Sequence, residues 1–287
     1  MASSAFPRPG DGRAVVAAPA PGEGPGYWAG ASSAALDADG SFVIGYRVRN
    51  GHDGIDQTVV ARSADGETLT TVATLDQSRF GAQWMERPAI VRLPGGRWRM
   101  WVCMGTPASK SWWIEVLEAD DPAGFADAEP RPAFPGDELT AVKDPVVKLI
   151  DGTFHAWICC HPLDIPGAED RMRSDYATSP DGLNWTWHGT VLSARAGEWD
   201  ARGARLTTVL PDGRAAYDGR ASAEENWFER SGIAVRDGGG TFAADPAAEP
   251  VDVRYLDVLA LPGGGHRIWY EARLPDESHE LRTELVS

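Results

Sequence analysis

A hairpin-shaped unit recurs five times along the chain, and that recurrence limits the fold more than any other feature. Its clearest copy spans residues 143–161. An apolar run, Pro145-Val146-Val147-Lys148-Leu149-Ile150, meets Asp151-Gly152 and then a second run, Thr153-Phe154-His155-Ala156-Trp157. Asp-Gly between two such runs is a strong hairpin signal, because the favoured tight turn needs positive φ at its central residues. The degraded copies span residues 32–47, 86–102, 205–218 and 255–271. Aligned on Gly40, Gly96, Gly152, Gly213 and Gly264, they are spaced 56, 56, 61 and 51 residues apart. Units of that length, each of several strands with no helical period, read as β-propeller blades rather than solenoid turns. A third strand follows the hairpin in at least two copies, where Ala61-Arg62-Ser63-Ala64-Asp65-Gly66 parallels Ala177-Thr178-Ser179-Pro180-Asp181-Gly182.

The expected fold is therefore all-β: a five-bladed β-propeller around a central tunnel, with residues 27–287 as a single domain. The fifth unit has room for three strands only, and an open ring would leave unpaired edges. Residues 13–18, within an Ala/Pro-rich N-terminal segment of residues 1–26, are expected to supply the outer strand of the last blade and close the ring. Two long loops stand out. Residues 119–139 read as a solvated connection between blades, and residues 162–173 are placed to rim a pocket.

A net charge of −15 argues against nucleic acid and anionic membrane surfaces as partners, while leaving room for a local basic pocket. Cys103, Cys159 and Cys160 sit in apolar strand patterns and read as buried free thiols. Residues 1–12 show no secretory apolar core, and no run approaches the ~20 apolar residues of a membrane span. A cytoplasmic location is the expectation. Phosphate-loop, dinucleotide-glycine and Gly-x-Ser-x-Gly motifs are missing from the sequence, and its six histidines show no metal-ligand spacing. No cofactor and no metal are expected.

The units Arg87-Pro88-Ala89-Ile90-Val91, Lys143-Asp144-Pro145, Ser179-Pro180-Asp181-Gly182-Leu183-Asn184-Trp185 and Trp199-Asp200-Ala201-Arg202-Gly203 resemble the five-bladed propeller glycoside hydrolase superfamily of arabinanases, β-xylosidases and invertases. The resemblance covers roughly residues 27–287. It implies an active site at one tunnel end with three carboxylates: a base or nucleophile on the first blade, a transition-state-stabilising Asp on a middle blade, and a Glu acid. Asp144 matches the middle Asp, and Lys143 its basic neighbour. The first-blade position falls at or near Ser32, where no carboxylate stands. The acid position holds Ala204-Arg205.

The aligned inner-strand positions give a ring of Ser32, Arg87, Asp144, Arg205 and Tyr255. The outgoing strands add Arg47, His161, Asp218, Arg220, Glu271 and Arg273. The leading expectation is a glycosidase-like enzyme acting on a carbohydrate-like small molecule at the tunnel mouth. Asp144, Glu86, Glu271 and Asp218 are its candidate catalytic carboxylates. Trp28, Arg47, Arg87, Lys143, His161, Arg205, Tyr255, Asp257 and Arg273 are the candidate binding residues. Trp28, Trp84 and Tyr255 are placed to stack on a sugar ring. Two alternatives use the same residues: a non-hydrolytic acid–base enzyme of lyase or cyclase type on an anionic metabolite, and a non-catalytic carbohydrate-binding propeller. Each residue also has a structural role open to it. Asp144 can pair with Lys143, Glu86 can cap Arg87, Glu271 and Asp218 can be solvated strand ends, and His161 can be a polar strand-end residue. Trp98, Trp101, Trp157 and Trp269 alternate with polar neighbours and are expected to pack between blades.

Overall fold

Period-2 alternation broken by Gly-containing turns yields twenty-one strands, two short 3-10 turns and no α-helix among the described residues. The computed structural model describes residues 6–52 and 54–287; the first five residues of the N-terminal segment lie outside them. After β1 (Val15–Ala18) the strands fall into five successive groups. The first is β2 (Tyr27–Leu36), β3 (Phe42–Asn50), β4 (Gln57–Ser63) and β5 (Thr70–Asp76). The second is β6 (Trp84–Met85), β7 (Ala89–Arg92), β8 (Trp98–Gly105), β9 (Trp112–Ala119) and β10 (Arg131–Phe134). Then come β11 (Thr140–Ile150), β12 (Thr153–Pro162), β13 (Arg173–Ser179) and β14 (Thr186–Ser193). They are followed by β15 (Gly203–Val209), β16 (Arg214–Arg220), β17 (Arg230–Arg236) and β18 (Phe242–Ala244). The last group is β19 (Arg254–Ala260), β20 (His266–Arg273) and β21 (His279–Val286).

Within each group neighbouring strands run antiparallel. β1 pairs antiparallel with β21, Val15 opposite Thr283. A single parallel bridge, Trp28 to His279, joins the last group to the first. Apolar clusters lie between successive groups. Val43 and Val60 meet Trp98 and Met100; Trp101 and Ile114 meet Phe154 and Ile158; Trp157 meets Leu206 and Tyr217; Ile233 meets Leu256 and Ile268. A fifth cluster joins last to first, with Trp269 and Leu281 against Ile44 and Ala61. Trp98, Trp101, Trp157 and Trp269 are all buried in these clusters, and truncating such a side chain to Ala costs about 3–5 kcal/mol.

Three innermost strands carry a bulge at the same place. Pairing slips between Gly30 and Ser33, between Lys143 and Val146, and between Arg254 and Asp257. The first extra residue has positive φ each time: 52° at Ala31, 49° at Asp144 and 52° at Tyr255. Such backbone is uncommon for residues with a Cβ, and bulges of this kind re-aim side chains next to functional sites. In β7 the equivalent stretch is the break at residues 86–88. In β15 the slip comes later, between Leu206 and Thr208.

Candidate functional site

Just ahead of the bulges, backbone pairing sets five cross-strand pairs at one end of the innermost strands: Gly30 with Arg47, Glu86 with Cys103, Lys143 with Cys159, Gly203 with Arg220, and Arg254 with Glu271. This ring lies one or two residues before the positions that counting from the turn glycines selects. Ser32 and Arg205 are therefore not the counterparts of Asp144: Ile150 pairs with Thr153 across a two-residue turn, whereas Leu36 pairs with Phe42 and Val209 with Ala215 across longer ones, so an equal count from the turn glycine reaches a different register. Arg254 precedes Tyr255 as Lys143 precedes Asp144 and Glu86 precedes Arg87, a regularity the sequence already carries.

A cavity of about 360 Å³ opens there. Its wall includes Glu86, Lys143, His161, Arg205, Arg220, Glu229, Arg254 and Tyr255, all rim or inner-strand residues. Residues 162–173 do rim it, through Gly167, Glu169, Asp170 and Met172. Trp112 and Trp227 complete the aromatic lining, and Lys110 adds a further cation.

Ion pairs fill the space behind this wall. Arg47, fully buried, reaches Glu86 Oε2 with one terminal nitrogen and Glu271 Oε2 with the other, each at 2.5 Å. Arg49 joins Glu86 at 3.1 Å and Asp56 at 3.1 Å. Arg254 spans Glu229 at 3.0 Å and Glu271 at 3.4 Å. Arg220 donates to Glu229 at 2.7 Å. Arg205 donates to Asp144 at 3.0 Å and Asp218 at 2.8 Å. Lys143 stands 3.7 Å from both Glu86 and Asp144. Glu86 therefore faces Arg47 and Arg49 rather than capping Arg87. Glu271 and Asp218, 1% and 0% exposed, are not solvated strand ends.

These partners decide protonation. Burial pushes Glu86 up, but Arg47, Lys143, Arg49 and Arg254 outweigh it and hold the carboxyl well below its usual range. Burial likewise works against ionisation of Glu271 and Glu229. Arg47, Arg254 and His279 bring Glu271 to about 2, and Arg254, Arg220 and Arg205 bring Glu229 to about 2. Asp218 is raised by burial, with Arg205 opposing only in part. Burial raises Tyr255 well above the usual phenol, so it is neutral. Its hydroxyl lies 3.3 Å from Glu86 Oε2 and 3.4 Å from Asp144 Oδ2. The two carboxylate oxygens are thus no farther apart than the sum of these distances, 6.7 Å. Burial lowers His161 to about 3, leaving a neutral ring. Its Nδ1–H donates to the Glu169 carbonyl at 2.7 Å. Nε2 is then a bare acceptor, and it has no partner among the described residues.

Other expected residues lie elsewhere. Arg87 and Asp257 sit deeper: Arg87 donates to the carbonyls of Ser32 at 3.0 Å and Pro145 at 2.8 Å, and it pairs with Asp257 at 3.4 Å. Asp257 also accepts from the Ala34 N–H at 2.8 Å and from Thr208 at 3.2 Å. They tie strands of different groups together. Arg273 lies off the cavity, paired with Asp252 at 2.7 Å and resting on the Phe228 ring. Trp28 is 2% exposed beneath Arg47, Arg49 and Arg254. Sequence reading missed Glu229 and Trp227, which come from the connection before β17 and have no counterpart in the repeat.

No carboxylate occupies the first-strand end. Gly30 stands there because Glu271 fills its side-chain space: a Cβ on Gly30 would lie 2.3 Å from Glu271 Oε2. Among the described residues no three His, Cys, Asp or Glu side chains are placed to hold a metal ion.

No family model and no curated protein matches the chain. Solved structures do. A β-1,2-mannobiose phosphorylase from Listeria innocua aligns at TM-score 0.64 and 15% identity, over 90% of this chain and 89% of that one. An α-L-arabinofuranosidase from Lactobacillus brevis aligns at TM-score 0.66 and 11% identity, over 90% of each. A sucrose-6-phosphate hydrolase from Lactobacillus gasseri aligns at TM-score 0.66 and 10% identity, over 96% of this chain and 61% of that one. The chain has the β-propeller-like fold of these glycoside hydrolases and phosphorylases.

Proposed function

We propose that the protein is a carbohydrate-active enzyme that takes a sugar bearing an anionic group and acts on it by acid–base chemistry centred on Glu86. One observation carries this reading. Five cations line the cavity, Lys110, Lys143, Arg205, Arg220 and Arg254, in a chain of net charge −15. The four carboxyls on the same wall, Glu86, Glu169, Asp170 and Glu229, are all held below their ordinary values. The Arg205, Arg220 and Arg254 guanidiniums and the Lys143 ammonium, paired behind the wall with buried carboxylates, also face the cavity, where they can meet a ligand carboxylate or phosphate. The wall offers no raised carboxylic acid to protonate a leaving oxygen, as two-carboxylate hydrolysis requires. In this reading the ionised Glu86 orients the Tyr255 phenol, through which a proton passes to or from Asp144, and His161 Nε2 accepts from a ligand hydroxyl. Residues 27–287 form one five-bladed ring closed by β1. The β1–β21 pairing and the cluster between last and first groups support that closure.

A second reading, glycoside hydrolysis by Glu86 and Asp144, is favoured by their separation of at most 6.7 Å across the Tyr255 hydroxyl, within the span used by paired carboxyls. A thermal-shift screen with D-galacturonate, glucose 6-phosphate, inorganic phosphate, D-mannose and β-1,2-mannobiose, run beside an aryl-glycoside panel, separates the two. Stabilisation by the anionic sugars and silence on the glycosides support the first reading. Aglycone release that Asp144→Asn and Glu86→Gln each abolish replaces it with the second.

A further inference from the structure

Most aromatic faces near the cavity are already occupied. The Arg205 guanidinium covers Tyr255 at 3.9 Å, Lys143 Nζ sits over Trp112 at 4.2 Å, and Arg49 covers Trp84 at 5.2 Å. Trp28 lies under three guanidiniums. Each of these four rings already carries a cation on a face.

Trp227 differs. It lines the cavity, is 38% exposed, and has no cation over its ring among the described residues. It meets Trp28 at an interplanar angle of 61° and His52 at 45°, so neither lies flat against it.

The backbone at Trp227 is also strained, with φ at +73°. A large residue is rarely held there, and such backbone persists only where the surroundings impose it. Here they do. The Asn226 side chain accepts from Arg220 at 2.7 Å, the Glu225 carboxylate accepts from the Ala221 N–H at 2.8 Å, and Phe228 N–H donates to the Glu225 carbonyl at 2.9 Å. The Arg273 guanidinium lies over the Phe228 ring at 4.5 Å. The connection is fixed on both flanks of the indole, and Arg220 belongs at once to this clamp and to the cavity wall.

We propose that Trp227 is the platform on which the sugar ring stacks, apolar face to indole, while its charged substituent reaches the cations below. This rests on the cavity being a sugar site. Stacking on an exposed aromatic contributes roughly a tenfold change in affinity, about 1.4 kcal/mol. It depends on the ring and not on the charge.

The test uses calorimetry on the full chain with whichever of D-galacturonate, glucose 6-phosphate, D-mannose and β-1,2-mannobiose binds the wild type, and with inorganic phosphate as a ligand that has no ring. Trp227→Ala is expected to weaken sugar binding about tenfold and leave phosphate binding unchanged. Trp227→Phe should stay within about threefold of the wild type. Sugar affinity unchanged in Trp227→Ala overturns the platform and leaves the sugar site standing. A wild type that binds phosphate but none of the four sugars overturns both. Where Trp227→Ala fails to fold, Trp227→Phe is compared with Trp227→Leu, of similar bulk without a ring; equal sugar affinity in the two overturns the proposal.

Discussion

The phenol oxygen of Tyr255 lies 3.3 Å from Glu86 Oε2, although 169 residues of chain separate the two. Tyr255 stands in the bulge of β19 with φ at 52°, an irregularity of the kind that re-aims a side chain. A neutral donor so placed can serve Glu86 or Asp144, and its hydrogen bond is the one link between these carboxylates that carries no charge of its own.

Tyr255→Phe removes that link while keeping the ring under Arg205. Losing one buried hydrogen bond costs about 1–3 kcal/mol, read as a lower urea midpoint. If the phenol relays a proton, turnover of the substrate identified by screening falls roughly hundredfold with little change in KM. A fall in stability with unchanged kcat assigns Tyr255 a structural role only.

Arg47→Met leaves Glu86 and Glu271 facing each other across an apolar side chain. Breaking a buried pair from one side costs about 3–5 kcal/mol, and here two carboxylates lose the same partner. Urea unfolding is expected to show a loss of at least that size. Adding Glu271→Gln should recover part of it, because one of the stranded charges is then gone.

The low values of Glu229 and Glu271, each about 2 in the folded protein against an ordinary 4.5, link stability to acid. A group whose folded value is depressed stabilises fully above its unfolded value and loses that contribution as pH falls towards the folded one. Unfolding midpoints should therefore be level above about pH 5 from these groups and drop between about pH 4.5 and 2. Glu229→Gln should flatten the drop and lower the plateau. An unaltered acid limb in that variant would remove Glu229 from this account.

The three thiols are expected to be inert in the native protein. Each is at most 1% exposed, and burial pushes Cys159 up to about 12. A thiol-disulfide reagent at pH 8 should label none until denaturant is added and three afterwards. Rapid labelling of the native chain would show that β8 and β12, which carry the thiols, open readily.

The hairpins were legible because their signals are local: Gly152, Gly96 and Gly264 punctuate alternating runs whatever the rest of the chain does. The site was legible only in part, because its register is not local. The hairpin at Asp151-Gly152 turns in two residues while those at Gly40 and Gly213 take longer, so counting from turn glycines put Ser32 and Arg205 where Gly30 and Gly203 stand. Arg87 and Asp257 read as mouth residues but face the interior, where they bind backbone of other strands. Glu229 and Trp227 come from an irregular connection, and nothing in its composition separates them from an ordinary loop.

Gly30 constrains the engineering of this pocket. A carboxylate cannot be installed at that strand end by one codon change, because the space it would need is already filled by Glu271. Glu271 cannot be withdrawn alone either, since Arg47, Arg254 and His279 all lean on it. The route between this mouth and a two-carboxylate one passes through intermediates that are worse than both ends. The cluster changes together or stays as it is, and a designer would have to exchange the whole set in a single step.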